Sequence, residues 1–258
     1  MSIQRIKPGH ILASLFIIML LTQCGTEKNT PVRRSYHNLT SYYNILFNGQ
    51  ESFREGMDRY KENYQFDYTR RLPVFIYGNS KLSENIKPQM ERAIEKASKL
   101  IRLHSISSKP ENLQDKRKLT KEEKEYYNKS EFNKFVDDSY LLMGKAYFWQ
   151  MDYSTASKIL EYSINTFKNE DIILKSKIWV ARCYIEQKKY REALKILEEL
   201  EKRENMSEQN KAEFYATYAD FSLKQDNIEE GIAHLKQAIQ NTGNKENKVR
   251  YTFILGQL

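Results

Sequence analysis

Apolar residues in the second half of the chain recur every three or four positions, the spacing of one face of an α-helix. One such stripe consists of Tyr153, Ala156, Ile159, Leu160, Ile164 and Phe167. A second consists of Tyr190, Ala193, Leu194, Leu197 and Leu200. Glycine and proline, which interrupt helices, number only 9 and 5 in 258 residues. The pattern therefore predicts an all-α protein and excludes sandwich-like folds, which need frequent turn residues.

Small residues mark a longer period in the same region. Gly144, Ala181, Ala219 and Gly256 are 37, 38 and 37 residues apart, and the first three are followed twelve positions later by Ala156, Ala193 and Gly231. Two helices approach closely only where facing residues are small, so each pair predicts the crossing point of a helical hairpin. The pattern resembles the tetratricopeptide repeat, whose hairpins stack into a solenoid. We expect repeats at about 137–170, 174–207 and 212–245.

The last ten residues, 249–258, resemble the first helix of a further repeat. No second helix follows to cover it, whereas a solenoid ordinarily ends in a polar cap. We therefore expect the chain to be a fragment or a truncated form of a longer scaffold.

The first helix of each tetratricopeptide hairpin lines the inner side of the solenoid. The resemblance places six basic and aromatic residues there: Lys145, Phe148, Trp149, Lys175, Arg182 and Lys224. They are expected to form a groove suited to an acidic or extended segment of a partner protein. The alternative is a solvated charged face, with the two aromatic rings packed on a neighbouring repeat.

The amino terminus has the features of an export signal. Arg5 and Lys7 precede an uncharged apolar run from Ile11 to Leu21, which is too short to span a bilayer. The sequence Leu21-Thr22-Gln23-Cys24 resembles a bacterial lipobox. We expect residues 1–23 to be removed and Cys24 to be acylated, which leaves 235 residues with a net charge of +6. The alternative is an ordinary signal peptide followed by an incidental cysteine.

The region between the signal and the repeats is less regular. We interpret residues 24–35 as a lipid-anchored linker and 36–103 as a helical region with an atypical repeat-like hairpin, its helices joined at Asn48-Gly49. Within it, residues 72–78 form an apolar stretch that Pro73 keeps extended, and we expect it to pack on the scaffold or to serve as a contact. Residues 87–103 are predicted to be helical and 104–119 to be an exposed charged loop. Thr120 and Glu123 predict a capping box that opens the next helix, and with it the repeat region 120–258.

Candidate catalytic groups are few. The sequence has no glycine-rich phosphate loop and no G-x-S-x-G motif, and His37, His104 and His234 lack metal-ligand spacing. The pairs Asp137-Asp138 and Glu229-Glu230 are sequence neighbours, so on a helix their side chains point about 100° apart. We predict no enzyme activity, no cofactor or metal, and no small-molecule substrate.

Two further features have simple interpretations. Cys183 is the one cysteine outside the lipobox, and we interpret it as a small buried apolar residue rather than as a catalytic thiol. Lys116-Arg117-Lys118 is a single short basic cluster in a charged loop, so we expect no nucleic-acid partner.

One family resemblance joins the N-terminal region to the first repeat. The segments that carry it are Asn29–Thr40, Tyr43-Asn44, Phe47–Gly49, Glu51, Leu72–Phe75 and Phe135–Tyr147. They resemble the SprE/PorW lipoproteins of the type IX secretion and gliding-motility machinery of Bacteroidetes. The resemblance implies an outer-membrane lipoprotein with its repeats in the periplasm, a non-enzymatic link between the periplasmic ring and the translocon. The sequence after Cys24 lacks an acidic run that would direct it to the cell surface.

Two other functions fit a repeat-containing lipoprotein. One is a tetratricopeptide lipoprotein of outer-membrane β-barrel assembly, which has a similar architecture. The other is a glycan-binding surface lipoprotein that would stack sugars on Phe148 and Trp149.

Overall fold

The computed structural model describes residues 25–110 and 119–258. Its helices are α1 (Pro31–Ser41), α2 (Phe47–Asn63), α3 (Ser80–His104), α4 (Lys121–Tyr127), α5 (Val136–Trp149), α6 (Tyr153–Thr166), α7 (Glu170–Glu186), α8 (Tyr190–Glu201), α9 (Glu208–Lys224), α10 (Ile228–Asn241) and α11 (Lys245–Gln257). A π-helical turn, Tyr42–Leu46, joins α1 to α2. Within the described ranges the β pairing is limited to an isolated bridge between Asn29 and Pro110. The all-α prediction is confirmed. The predicted signal and Cys24 lie outside the described residues.

Three successive hairpins form the repeat region. They are α5–α6, α7–α8 and α9–α10, and α11 begins a further unit. Met151, Lys188 and Asp226 occupy the turns of the three hairpins, each in the left-handed region with φ of 64°, 58° and 58°. These residues are 37 and 38 positions apart, the same period as the small residues. The three hairpins are therefore copies of one structure, as the period predicts.

Gly144 lies where the two helices of the first hairpin approach most closely. A Cβ atom on Gly144 would lie 2.5 Å from Leu160 Cδ2, so the space is taken by a leucine side chain. Gly231 of the third hairpin makes the same kind of space, there for Leu223. The small residue thus accommodates a leucine of the facing helix rather than the small residue that the sequence pattern pairs with it.

The N-terminal region differs from its prediction. Helical backbone runs without a break from Pro31 to Asn63, so the predicted linker ends early and no turn interrupts the chain at Asn48-Gly49. The cause at Gly49 is close packing, since a Cβ atom there would lie 3.1 Å from Leu142 Cδ2 and 3.2 Å from Lys96 Cβ. The predicted turn is therefore wrong, because Gly49 serves close helix packing and not a turn.

The hairpin of this region is formed instead by α1–α2 against α3. Arg92 of α3 pairs with Glu55 of α2 at 3.0 Å, and a Cβ atom on Gly56 would clash with Met90. The helix α3 starts seven residues before its predicted start, because the Asn79 side chain accepts the Leu82 N–H (3.1 Å) and caps it. This hairpin packs on α5 through an apolar cluster that is buried between them: Ile45, Leu46, Ala97, Leu100, Val136 and Leu142.

The segment predicted as an exposed loop is partly buried. Ile106 is fully buried, and the Glu131 carboxylate accepts its backbone N–H at 2.7 Å. Residues 111–118, including the Lys116–Lys118 cluster, lie outside the described residues. The capping box at Thr120 and Glu123 is confirmed, with both of its hydrogen bonds formed.

Candidate functional site

The inner side of the repeats is occupied by the protein's own chain. Residues 64–79, which we call the strap, leave α2, run to α11 and return to α3. They cross the first helices of the hairpins, α5, α7, α9 and α11, whose common surface we call the A-helix face. The strap includes the apolar stretch 72–78, so the prediction that this stretch packs on the scaffold is confirmed.

At its far end the strap is bound to α11 and α9. The Leu72 N–H donates to Gln257 Oε1 (2.9 Å), and the same Gln257 side chain donates to the Arg70 carbonyl (3.0 Å). Arg71 donates to the carbonyl of Leu223 near the end of α9 (3.1 Å). Leu72 and Val74 are buried in one cluster with Tyr251. Backbone and apolar contacts together hold the strap to the last helices.

Arg182 supports the middle of the strap. Its guanidinium lies 4.3 Å from the ring centroid of Phe75 and 4.6 Å from that of Trp179, so it is enclosed between two aromatic rings. Its Nε donates to Thr217 Oγ1 of the next repeat at 2.9 Å, and only 4% of the residue is exposed. This cation is therefore already bound within the chain, since cation–π contacts and a hydrogen bond satisfy it.

Tyr77 fixes the returning end of the strap to the third repeat. Its hydroxyl donates to Asp220 Oδ2 at 3.2 Å, and its ring packs edge-on against Phe148 with centroids 4.8 Å apart. Burial raises the pKa of Tyr77 well above its usual value, and the Asp220 carboxylate raises it further. The hydroxyl is therefore a permanent donor at physiological pH.

Lys224 completes this polar cluster. It pairs with Glu186 and with Asp220, the latter at 3.0 Å, and lies 5.4 Å from the Tyr77 ring centroid. Burial opposes its charge, but the two carboxylates raise the pKa of Lys224. Glu186 and Gln257 were missed in the sequence because isolated polar residues on amphipathic helices carry no distinguishing pattern.

The six predicted groove residues therefore do not form an open groove. Phe148 and Trp149 are buried, with 1% and 7% exposed, and Phe148 packs against Trp179 of the next repeat (5.1 Å between centroids). For Phe148 this packing matches the alternative interpretation, whereas Trp149 packs on Tyr60 of α2 and Tyr77 of the strap. Lys175 pairs with Asp171 on its own helix at 2.5 Å.

A cleft of about 240 Å³ remains between α2, the strap and the A-helix face. Lys145, Arg182 and Arg250 contribute cations to its lining, and Glu213 and Glu246 contribute acids. Lys145 lies 5.3 Å from the Trp179 ring centroid, and burial lowers its pKa, an effect that Glu213 only partly offsets. The cleft is thus an aromatic, mildly basic pocket. The strap fills the rest of the predicted groove.

The titratable residues considered as catalytic candidates have structural surroundings. Cys183 is fully buried, and burial raises the pKa of its thiol, so the reactive thiolate is disfavoured. Asp137 accepts a hydrogen bond from Asn169 (3.0 Å), while burial and the Asp137 charge raise the pKa of Asp138 to about 6. In the described ranges, no three side chains from His, Cys, Asp and Glu come together as a metal site. No described helix is long and apolar enough to cross a bilayer.

Comparison with known proteins identifies the repeats. The family described as anaphase-promoting complex, cyclosome, subunit 3 has a model that matches residues 125–200, less than a third of the chain. The matched range contains the first two hairpins, and the match is of the tetratricopeptide type. No curated protein matches the chain. The protein is an all-α solenoid of tetratricopeptide-type hairpins, a fold that typically binds proteins and lacks catalysis.

Proposed function

We propose that this protein is a non-enzymatic scaffold of type IX protein secretion and gliding motility. It is held at the outer membrane by acyl chains on Cys24, faces the periplasm, and binds components of the periplasmic ring and the translocon. The observation that carries the proposal is the packing of the segments that resemble the SprE/PorW lipoproteins. The N-terminal segments and the segment Phe135–Tyr147 are distant in sequence, but they pack together as one unit in the fold.

Their contacts are direct. Asn38 Oδ1 accepts the Lys134 N–H at 2.9 Å, immediately before the first repeat. Gly49 packs against Leu142, since a Cβ atom on Gly49 would lie 3.1 Å from Leu142 Cδ2. The strap segment Leu72–Phe75 then continues over the A-helix face, where Phe75 and Lys145 line the same cleft. Segments that pack on one another constrain each other's residues. A family whose members share this N-terminal unit is therefore expected to share the sequence pattern in all of these segments.

The glycan-binding alternative loses its basis in this arrangement. A sugar needs an open ring face for stacking, and Trp149 is enclosed by Tyr60 and Tyr77 at centroid distances of 4.9 and 6.1 Å. Phe148 is still more buried. We therefore base the proposal on protein partners.

The decisive experiment is deletion of the gene, combined with affinity purification of the intact protein. We expect the deletion strain to lose type IX secretion and colony spreading, and the purified protein to carry ring or translocon components. Normal secretion and spreading would contradict the proposal. Recovery of barrel-assembly components without ring proteins would favour the β-barrel assembly function instead.

The anchor has a separate test. Cys24→Ser removes the thiol that acylation requires, so the share of the protein in the membrane fraction is expected to fall, because acyl chains no longer contribute to anchoring. Membrane association that does not change in this variant would contradict acylation at Cys24.

A further inference from the structure

A row of large apolar side chains lies exposed on the N-terminal helix, on the side away from the solenoid. It consists of Val32, Tyr36, Leu39, Tyr43 and Phe47, each between 44% and 70% exposed. We call it the α1 stripe. At about 100° per helical residue, these positions fall within a sector of roughly 80°. The opposite side of the same helix is buried against α3 and α5, so the stripe is a separate surface and not part of the core.

The charged residues between the two ends of the stripe have one sign. From Lys28 to Gln50 the sequence contains Lys28, Arg33 and Arg34 and no acidic residue. Acidic residues return at Glu51, where the stripe has ended. Arg33 borders the stripe, whereas Arg34 lies on the other side of the helix, where it binds Asn29 and stacks on Tyr126. An apolar row that is bordered by a cation, on a stretch of chain without carboxylates, is complementary to an anionic lipid surface.

We propose that the α1 stripe lies in the headgroup region of an anionic bilayer, parallel to the membrane plane. Three of its five side chains are aromatic, and tyrosine favours this region because its ring is apolar and its hydroxyl is polar. The helix from Pro31 to Gln50 is about 30 Å long at 1.5 Å per residue, so the contact is extended. The inference rests on the proposed function for the location of the membrane: Cys24 precedes Pro31 by seven residues, at most about 25 Å of chain.

The consequence is a fixed orientation. An acyl anchor alone leaves the repeats free to rotate about a flexible connection. An anchored stripe binds at high effective concentration, so a weak contact is sufficient to hold the helix against the membrane. The solenoid, packed on this helix through α3 and α5, would then keep one direction relative to the membrane.

The test compares two matched double variants of the full chain, both in a Cys24→Ser background so that acyl chains do not mask the stripe. Val32→Glu with Phe47→Glu places charges in the stripe. Val249→Glu with Phe253→Glu is the control on α11. The exposed fractions match, since Val249 is 71% exposed and Val32 70%, while Phe253 is 44% exposed and Phe47 47%. Any contribution of the uncleaved signal is the same in both. Circular dichroism checks that both fold.

Partition is measured by co-sedimentation with vesicles of equal parts phosphatidylethanolamine and phosphatidylglycerol. We expect the stripe variant to partition about tenfold less than the parent and the control to remain within about twofold. Vesicles of phosphatidylcholine alone are expected to bind the parent more weakly. Equal partition of the two variants would overturn the inference. A second outcome would also overturn it: light scattering shows a dimer for the parent and a monomer for the stripe variant, while both bind vesicles equally. The stripe would then bind a second copy of the chain.

A second measurement uses the native Cys24 chain purified from membranes and reconstituted into the same vesicles. Leu39→Cys and Val249→Cys each provide a site for a fluorophore, while Cys183 is buried and not labelled. Brominated lipids are expected to quench the label at position 39 and not the label at position 249. Equal quenching at both positions would overturn the inference and leave the secretion proposal unaffected, because that proposal is tested by the deletion strain.

Discussion

At Gly144 the helices of the first hairpin are so close that Leu160 fills the position of the absent Cβ atom. The Gly144→Ala variant therefore has to displace a buried leucine in a packed core. We expect it to lower the free energy of unfolding by ~1–3 kcal/mol, the usual cost of overpacking. Urea denaturation followed by circular dichroism measures this.

Gly256 supplies the control, because nothing lies within 4 Å of its hypothetical Cβ atom. Gly256→Ala is expected to change the free energy of unfolding by less than ~0.5 kcal/mol, because Gly256 lies in the last turn of α11, where helix propensity counts for less than in a helix interior. Equal effects of the two alanines would show that packing at Gly144 is looser than the structure indicates.

His37 and His104 form a second residue-scale feature between α1 and α3. Their Nδ1 atoms are 2.9 Å apart, so one ring donates a proton to the other and both cannot be charged. Burial, followed by the neighbouring His37, lowers the pKa of His104 to about 4, and burial also lowers the pKa of His37. Unfolding returns both to about 6.5, so the unfolded chain binds more protons between these values.

The stability that this pair contributes is present above pH 6.5 and decreases as the pH falls toward 4. We expect His104→Asn to reduce the loss of unfolding free energy between pH 7.5 and pH 5 by about 1 kcal/mol, less than the full shift because the ring is partly exposed. Urea titrations of parent and variant at both pH values measure the difference. An identical loss in both proteins would contradict the assignment.

At the scale of elements, the strap has no helix of its own and is held by its contacts with other elements. It lies on the A-helix face through a few hydrogen bonds and apolar anchors, among them Val74 with 3% exposed. Val74→Asp would bury an unpaired charge, so the strap is expected to detach while the hairpins stay folded. Limited trypsin digestion is expected to cut the variant after Arg70 or Arg71 at least several times faster than the parent.

Val249→Asp is the matched control, because Val249 is 71% exposed and makes no core contact. Its digestion is expected to follow that of the parent. Cleavage of Val74→Asp at the parental rate would mean that the strap is held by contacts other than its apolar anchors.

The sequence predicted the hairpins well and the remaining elements less well, for physical reasons. A repeated small residue such as Gly144 or Ala181 has the same packing role in each copy, so its period is visible in the sequence. Gly49 has no such copies, and next to Asn48 it resembles a turn. The site of the strap was not predictable, because Leu72 and its partner Gln257 are 185 residues apart and neither residue type specifies the other.

At the scale of the whole molecule, the strap changes how the repeats depend on one another. Repeats that contact only their neighbours can unfold one by one from an end. Here one segment contacts α5 through Tyr77, α7 through Phe75 and α11 through Leu72. The strap therefore links distant repeats, and we expect them to unfold together.

This expectation is measurable with the native fluorophores. Trp149 and Trp179 report the first and second hairpins, whereas circular dichroism reports all helices. In the parent, the urea transitions from fluorescence and from circular dichroism should coincide, the sign of a two-state process. In Val74→Asp they should separate. Separate transitions in the parent would show that the strap does not couple the repeats.

The position of the strap near the start of the chain also has a consequence for biosynthesis. Its binding surface is completed only when Gln257 has been made, 185 residues after Leu72. At about 5–20 residues per second, this corresponds to a wait of roughly 10–40 s. Throughout this time Leu72 and Val74 lack the part of their binding surface that α11 supplies. A holding chaperone is therefore expected to bind this segment first, and its release would decide when the chain acquires its final structure.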